Sequence, residues 1–120
     1  MNTLFIALAG LMGAAGVALA AAAAHGAKAG MGLDSAAYLL LIHAGATVAV
    51  TLASHHGLTA RVPGRLAVAG FILGAALFAA DIALRAYTGH RLFPMAAPTG
   101  GTIMILAWLA VTIAALARRR

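Results

Sequence analysis

The sequence has no cysteine among its 120 residues. That excludes a disulfide framework, a thiolate metal site, a CxxC redox pair and a cysteine nucleophile. Acidic residues are almost as scarce. Asp34 and Asp81 are the only two, against eight Lys and Arg. Charged residues make up 8% of the chain, where a soluble domain carries about 25%. So few charges cannot cover the surface of a soluble domain. Apolar residues reach 64%, against roughly 45–50% in soluble proteins. An ordinary cytosolic enzyme and a disordered tail are both excluded. A net charge of +6 would suggest nucleic acid in a soluble protein. Here it reads as the basic flanks of membrane spans, and no nucleic-acid partner is expected.

What the chain does have is long apolar runs. A helix needs about 20 apolar residues to cross a bilayer. Four runs qualify, at about 3–24, 34–54, 66–88 and 98–117. They predict an all-α, integral membrane, four-helix antiparallel bundle, with 1–120 as a single domain. The breaks between runs hold Gly26, Gly30 and Gly32, then Gly57, Pro63 and Gly64, then Gly89 and Pro94. Pro98 suits the first turn of the fourth helix. Asp34 is placed to accept N–H bonds at the start of the second, and Thr99 and Thr102 to cap the fourth. The first run has no Lys or Arg before it. It is also longer than the roughly 7–15 residues of a signal-peptide core, so it reads as a retained span.

Basic residues set the expected orientation. Arg61, Arg65, Arg118, Arg119 and Arg120 fall on the side of the N-terminus, and Lys28, Arg85 and Arg91 on the other. Five against three favours both termini on the cytoplasmic side of the inner (plasma) membrane, with the lipid bilayer as the first partner.

Inside lipid, helices associate through small residues and polar contacts. Gly70, Gly74, Leu77, Asp81 and Arg85 fall within about a 100° arc of the third helix. The close-packing face therefore carries the one acid well inside a span. Asp81 and Arg85 stand at i and i+4, acid first, the favourable order for a helical ion pair. A bare Asp at a helix centre costs about 2.5–3.5 kcal/mol on insertion. The pair reads either as a staple of the bundle or as a functional site. Gly10, Ala14, Val17 and Ala21 form a small-residue face leading to His25 in the first helix. Gly100 and Gly101 let a partner backbone approach the fourth. The second helix aligns His43, Thr47 and Ser54. His43 reads as an imidazole bonded to a neighbouring helix, or as a ligand or proton carrier.

At 1.5 Å per residue, Asp81 lies about 10 Å from the outer end of its helix, Arg85 about 5 Å and His43 about 14 Å. His25 and Thr99 belong to that same end. His25, His43, Asp81, Arg85 and Thr99 thus define a candidate polar pocket in the non-cytoplasmic half, above a mostly apolar cytoplasmic half. Trp108, near the middle of the fourth run, reads as core packing or lipid contact. Tyr38 and Tyr87 suit an aromatic belt. The stretch Arg91–Ala97 is apolar enough to dip back toward the membrane. His25, His43 and Asp81 could be written as a two-His, one-carboxylate set. They come from three helices with no fixed spacing, so no metal and no cofactor is expected. No Walker loop, zincin motif or Ser–His–Asp set is present, and no catalytic residue is assigned.

Several stretches carry a resemblance. They are Ala24-His25-Gly26, Tyr38 with Ile42-His43-Ala44, and Leu77-Phe78-Ala79-Ala80-Asp81 running to Tyr87-Thr88-Gly89. Then come Arg91-Leu92-Phe93-Pro94-Met95-Ala96-Ala97-Pro98-Thr99-Gly100-Gly101 and Ala107-Trp108-Leu109. The chain resembles the small inner-membrane proteins of the family called domain of unknown function 423 over nearly its whole length. Many members of that family carry a Phe-Ser-Gly-Ser-like stretch where this chain has Phe78-Ala79-Ala80-Asp81. The resemblance implies four helices and a plasma-membrane address, and it supplies no activity. The expected role is therefore non-enzymatic: an accessory subunit of a larger membrane complex, or a homo-oligomer, acting through helix packing. The alternative is a module that binds or transports a lipid headgroup, a proton or a small solute through the outer pocket.

Overall fold

The structure, a computed structural model, describes residues 1–118. Arg119 and Arg120 of the basic collar lie outside the described residues. Four helices follow in order: α1 (Asn2–His25), α2 (Leu33–His55), α3 (Arg61–Thr88) and α4 (Ala96–Leu116). Each is long and apolar enough to cross a membrane. At 1.5 Å per residue even α4 spans about 30 Å, the thickness of a bilayer's hydrocarbon core.

Three helix starts differ from expectation. α3 begins at Arg61, five residues before the expected 66. Pro63 does not break it. Proline is tolerated in a first turn, where its missing N–H has no partner to lose, and Gly64 N–H bonds to Ala60 O at 3.0 Å. At α2 the cap is Gly32, at φ 87°, not Asp34. A glycine adopts this left-handed conformation at little cost, and it delivers Leu33 into the core at 1% exposure. Asp34 stands one position further, its Oδ1 accepting the Ser35 N–H at 2.9 Å. No side-chain cap is found on α4. Thr102 instead donates to Pro98 O at 2.9 Å, inside the helix.

α1 packs on α2, α2 on α3, and α3 on α4, with only light contact between α1 and α3. The molecule measures 53 × 26 × 19 Å, a slab broader than it is thick. The inner helices carry most of the burial: nine buried residues each in α2 and α3, against four in α1 and six in α4. One apolar cluster joins Met12, Leu40, Ala75 and Met104. A second joins Phe5, Val50, Val68, Phe71 and Ala107.

The seam between α3 and α4 is the closest approach. A Cβ on Gly74 would stand 2.8 Å from Gly100 O, and one on Gly100 would stand 2.7 Å from Gly74 O. The two backbones touch there, as small-residue packing in membranes requires. Gly70 serves the same seam, since its Cβ would meet the Ala107 Cβ at 2.8 Å. Gly10 and Gly101 do not serve it: a Cβ at either meets nothing within 4 Å. The α1 packing face is Phe5, Ala9, Met12 and Gly16, not the row through Gly10. Gly16 makes the close approach, its Cβ position lying 2.8 Å from Leu41 Cγ.

Candidate functional site

Three regions hold the polar groups, and they are spread along the bundle. The first centres on Asp81, which is 2% exposed. Its Oδ1 accepts the backbone N–H of Leu92 at 2.9 Å. Its Oδ2 faces Arg85 Nε at 3.7 Å, an ion-pair distance beyond hydrogen-bond length. The carboxylate thus ties the α3–α4 connection back onto α3, eleven residues away. The fold does more than pair the two charges along one helix. It pins a loop, and the apolar Leu92, Phe93 and Met95 in that loop remain exposed. His25 and Thr99 are also exposed. Among the described residues no hydrogen bond joins either side chain to Asp81 or Arg85. The five expected pocket residues are therefore not assembled into one pocket. The pairing of Asp81 with Arg85 is present; the convergence of His25, His43 and Thr99 on it is not.

The second region is mid-bundle. His43 on α2 is 3% exposed. Its Nδ1 lies 2.7 Å from Leu39 O, and its Nε2 lies 3.1 Å from Trp108 Nε1. An indole N–H can only donate. Nε2 must therefore accept, and Nδ1 must carry the proton given to Leu39 O. Both ring nitrogens are used, which leaves neither free for a metal or a travelling proton. Phe71 of α3, fully buried, completes the cluster, with ring centroids 4.7 Å from Trp108 and 5.4 Å from His43. Three helices meet in this layer. Trp108 joins it by one edge while 44% of its surface stays exposed. One and two turns beyond His43, Thr47 and Thr51 are buried at 0% and 2%. Among the described residues their hydroxyls have no hydrogen-bond partner.

The third region lies where α1 begins, α2 ends and α3 begins. A cavity of about 180 Å³ opens there, lined by Asn2, Thr51, Ser54, His55, Arg61 and Arg65 beside Phe5, Gly64 and Val68. Asn2 Nδ2 and His55 Nδ1 stand 3.3 Å apart. Ser54 and Thr59 share a hydroxyl hydrogen bond of 2.7 Å. From the sequence this end was expected to be mostly apolar beneath an arginine collar. The polar residues escape a sequence reading because they come from three separate helix ends. Only the two arginines, four apart at the start of α3, and Ser54, on the polar stripe of α2, gave a signal.

The family described as protein of unknown function (DUF423) matches residues 19–101. The chain belongs to this family. The matched stretch runs from the last turns of α1 to the first turns of α4. It includes Asp81, Arg85, His43, Arg61 and Arg65. It leaves out Asn2 and Trp108, so the indole partner of His43 lies beyond it. No match emerges among curated proteins or among solved structures. Family and fold together describe a small multi-pass membrane protein of unknown activity.

Proposed function

We propose that the protein is a non-enzymatic component of the inner (plasma) membrane that acts by association. It serves as a homo-oligomer or as an accessory subunit of a larger membrane complex. In this reading the helices run antiparallel with both termini cytoplasmic, as the basic residues favour. The observation that carries it is a set of glycines without an internal purpose. A Cβ on Gly10, Gly45 or Gly101 would meet nothing within 4 Å, and all three lie inside helices. Glycine inside a helix costs about 1 kcal/mol relative to alanine. In the α3–α4 seam that cost is offset by backbone contact. At Gly10, Gly45 and Gly101 it is not offset within one chain, whereas a neighbouring helix could approach closely there. The outer helices α1 and α4 also bury few residues, which leaves them faces to offer.

The alternative, a headgroup, proton or small-solute module built around Asp81 and His43, draws less support. Asp81 holds Leu92 and Arg85, and both nitrogens of His43 are engaged.

The absence of cysteine makes the test direct. A single Ala14→Cys variant places a thiol one turn from Gly10. Oxidative crosslinking in native membranes is expected to give a disulfide dimer if the protein self-associates. A native gel of the same membranes is expected to show a stoichiometric heavier complex if it is an accessory subunit. A chain that stays monomeric in both measurements would overturn the reading.

A further inference from the structure

We propose that the cavity between the start of α1, the end of α2 and the start of α3 binds a phosphate group. The ligand is either an anionic phospholipid headgroup or free phosphate. The inference rests on a different part of the molecule from the association surfaces.

Size admits a ligand. The cavity holds about 180 Å³, far above the roughly 10–15 Å³ that a single water requires. Its lining is rich in donors. Arg61 and Arg65 offer planar guanidinium forks that match phosphate oxygens. Asn2, Ser54 and Thr51 add an amide and two hydroxyls. Thr51 also lines the wall and is 2% exposed, and among the described residues its hydroxyl has no hydrogen-bond partner. A buried polar group without a partner is costly, and rotation of the Thr51 side chain toward the cavity would let an entering oxygen satisfy it.

Charge balance points the same way. The chain has only two acids, and both are engaged elsewhere. Asp34 accepts the Ser35 N–H, and Asp81 holds Leu92 and Arg85. No Asp or Glu side chain lines the cavity, so no carboxylate side chain competes with an incoming anion for the exposed Arg61 and Arg65. The start of α3 adds a further pull. It has no side-chain cap and no acid in its first turn. Pro63 has no N–H and Gly64 N–H bonds to Ala60 O, so the N–H groups of Arg61 and Val62 are the ones left to favour an anion. The site also lies at the ends of spanning-length helices, where a bilayer crossed by them would place its phosphates.

The full chain is purified in a neutral detergent and its thermal unfolding is followed in three conditions. These are vesicles of phosphatidylcholine alone, vesicles that also contain phosphatidylglycerol, and detergent with added inorganic phosphate. A rise in melting temperature with phosphatidylglycerol alone assigns the site to a headgroup. A rise with inorganic phosphate as well shows that the phosphate group suffices. Native mass spectrometry then counts retained phosphatidylglycerol. The Arg61→Gln, Arg65→Gln double variant is expected to bind at least about tenfold more weakly. The charge-retaining Arg61→Lys, Arg65→Lys pair should keep part of the effect, and Arg91→Gln, in the α3–α4 connection, all of it. If the glutamine pair unfolds, the three-condition comparison on the unaltered chain and the lysine pair still decides. Equal melting of the unaltered chain in every condition would overturn the proposal. So would an equal loss of binding in Arg91→Gln, because that result reports net charge and not a site.

Discussion

The two ends of the bundle handle charge in opposite ways. At the Asp81 end, an acid and a base come from one helix and the acid also accepts a loop N–H. At the Arg61 end, two arginines and a histidine line a cavity that no acidic side chain enters. The first end is closed by its own chemistry and the second is left open to an anion. Intramembrane charge is expensive unless paired, so the one buried carboxylate is used where a loop needs an anchor. Among the described residues the cationic end gains nothing comparable. A polar residue in a membrane protein is thus no guide to a binding site until its partners are known.

The comparison can be broken by substitution, beginning with the largest effect. Asp81→Ala removes the acceptor of the Leu92 N–H and the partner of Arg85. It is expected to lower stability by about 1.5–3 kcal/mol, read as a lower melting temperature in mild detergent. Asp81→Asn keeps an acceptor oxygen for Leu92, so its loss should be smaller. Equal losses in the two variants would show that the ion pair, and not the loop hydrogen bond, is what closes this end.

The mid-bundle layer gives a reference between the ends. Trp108→Phe deletes the donor to His43 Nε2 while an aromatic ring remains beside Phe71. The expected cost is about 1 kcal/mol, seen in the same melting experiment. Arg85→Gln should cost no more, about 1 kcal/mol: Arg85 Nε is buried beside Asp81, but at 3.7 Å it makes no hydrogen bond, and the rest of the side chain is 38% exposed. At the open end, Arg61→Gln with Arg65→Gln should change melting in neutral detergent by no more than about 0.5 kcal/mol. A large loss there would mean that the arginines hold the fold together, and the contrast between the two ends would disappear.

Much of the fold was legible before the structure. Four apolar runs became four helices, and the start of α3 moved only because a proline fits a first turn. The Gly70–Gly74 face and its neighbour Gly100 were readable, since small residues four apart mark a seam. The pairing of Asp81 with Arg85 followed from their spacing. Other readings failed for one physical reason. All four helices are apolar on every side, with almost no amphipathic asymmetry. An aqueous helix shows its inner face by its apolar stripe; these do not. Gly10 and Gly70 open closely similar stretches, Gly10-Leu11-Met12-Gly13-Ala14-Ala15 and Gly70-Phe71-Ile72-Leu73-Gly74-Ala75-Ala76. Yet Gly70 packs against Ala107, while Gly10 meets nothing.

The same limit explains the polar groups. Trp108 and His43 are 65 residues apart, and no local pattern links them. Leu92 takes its hydrogen bond through its backbone, which carries no side-chain signature at all. The cavity gathers Asn2, Ser54 and Arg65 from three helix ends, where proximity depends on how the helices stack.

Cysteine and acid scarcity, the apolar runs and the glycine breaks fixed the environment and the number of helices by themselves, because transfer into lipid depends on length and composition. The tertiary structure alone decided which face of each helix is inside, and with it which end is sealed and which is open. The physical reason is that apolar surface is equally content against lipid or protein. The choice of neighbours then rests on a few backbone contacts and hydrogen bonds, which exist only once the helices have met.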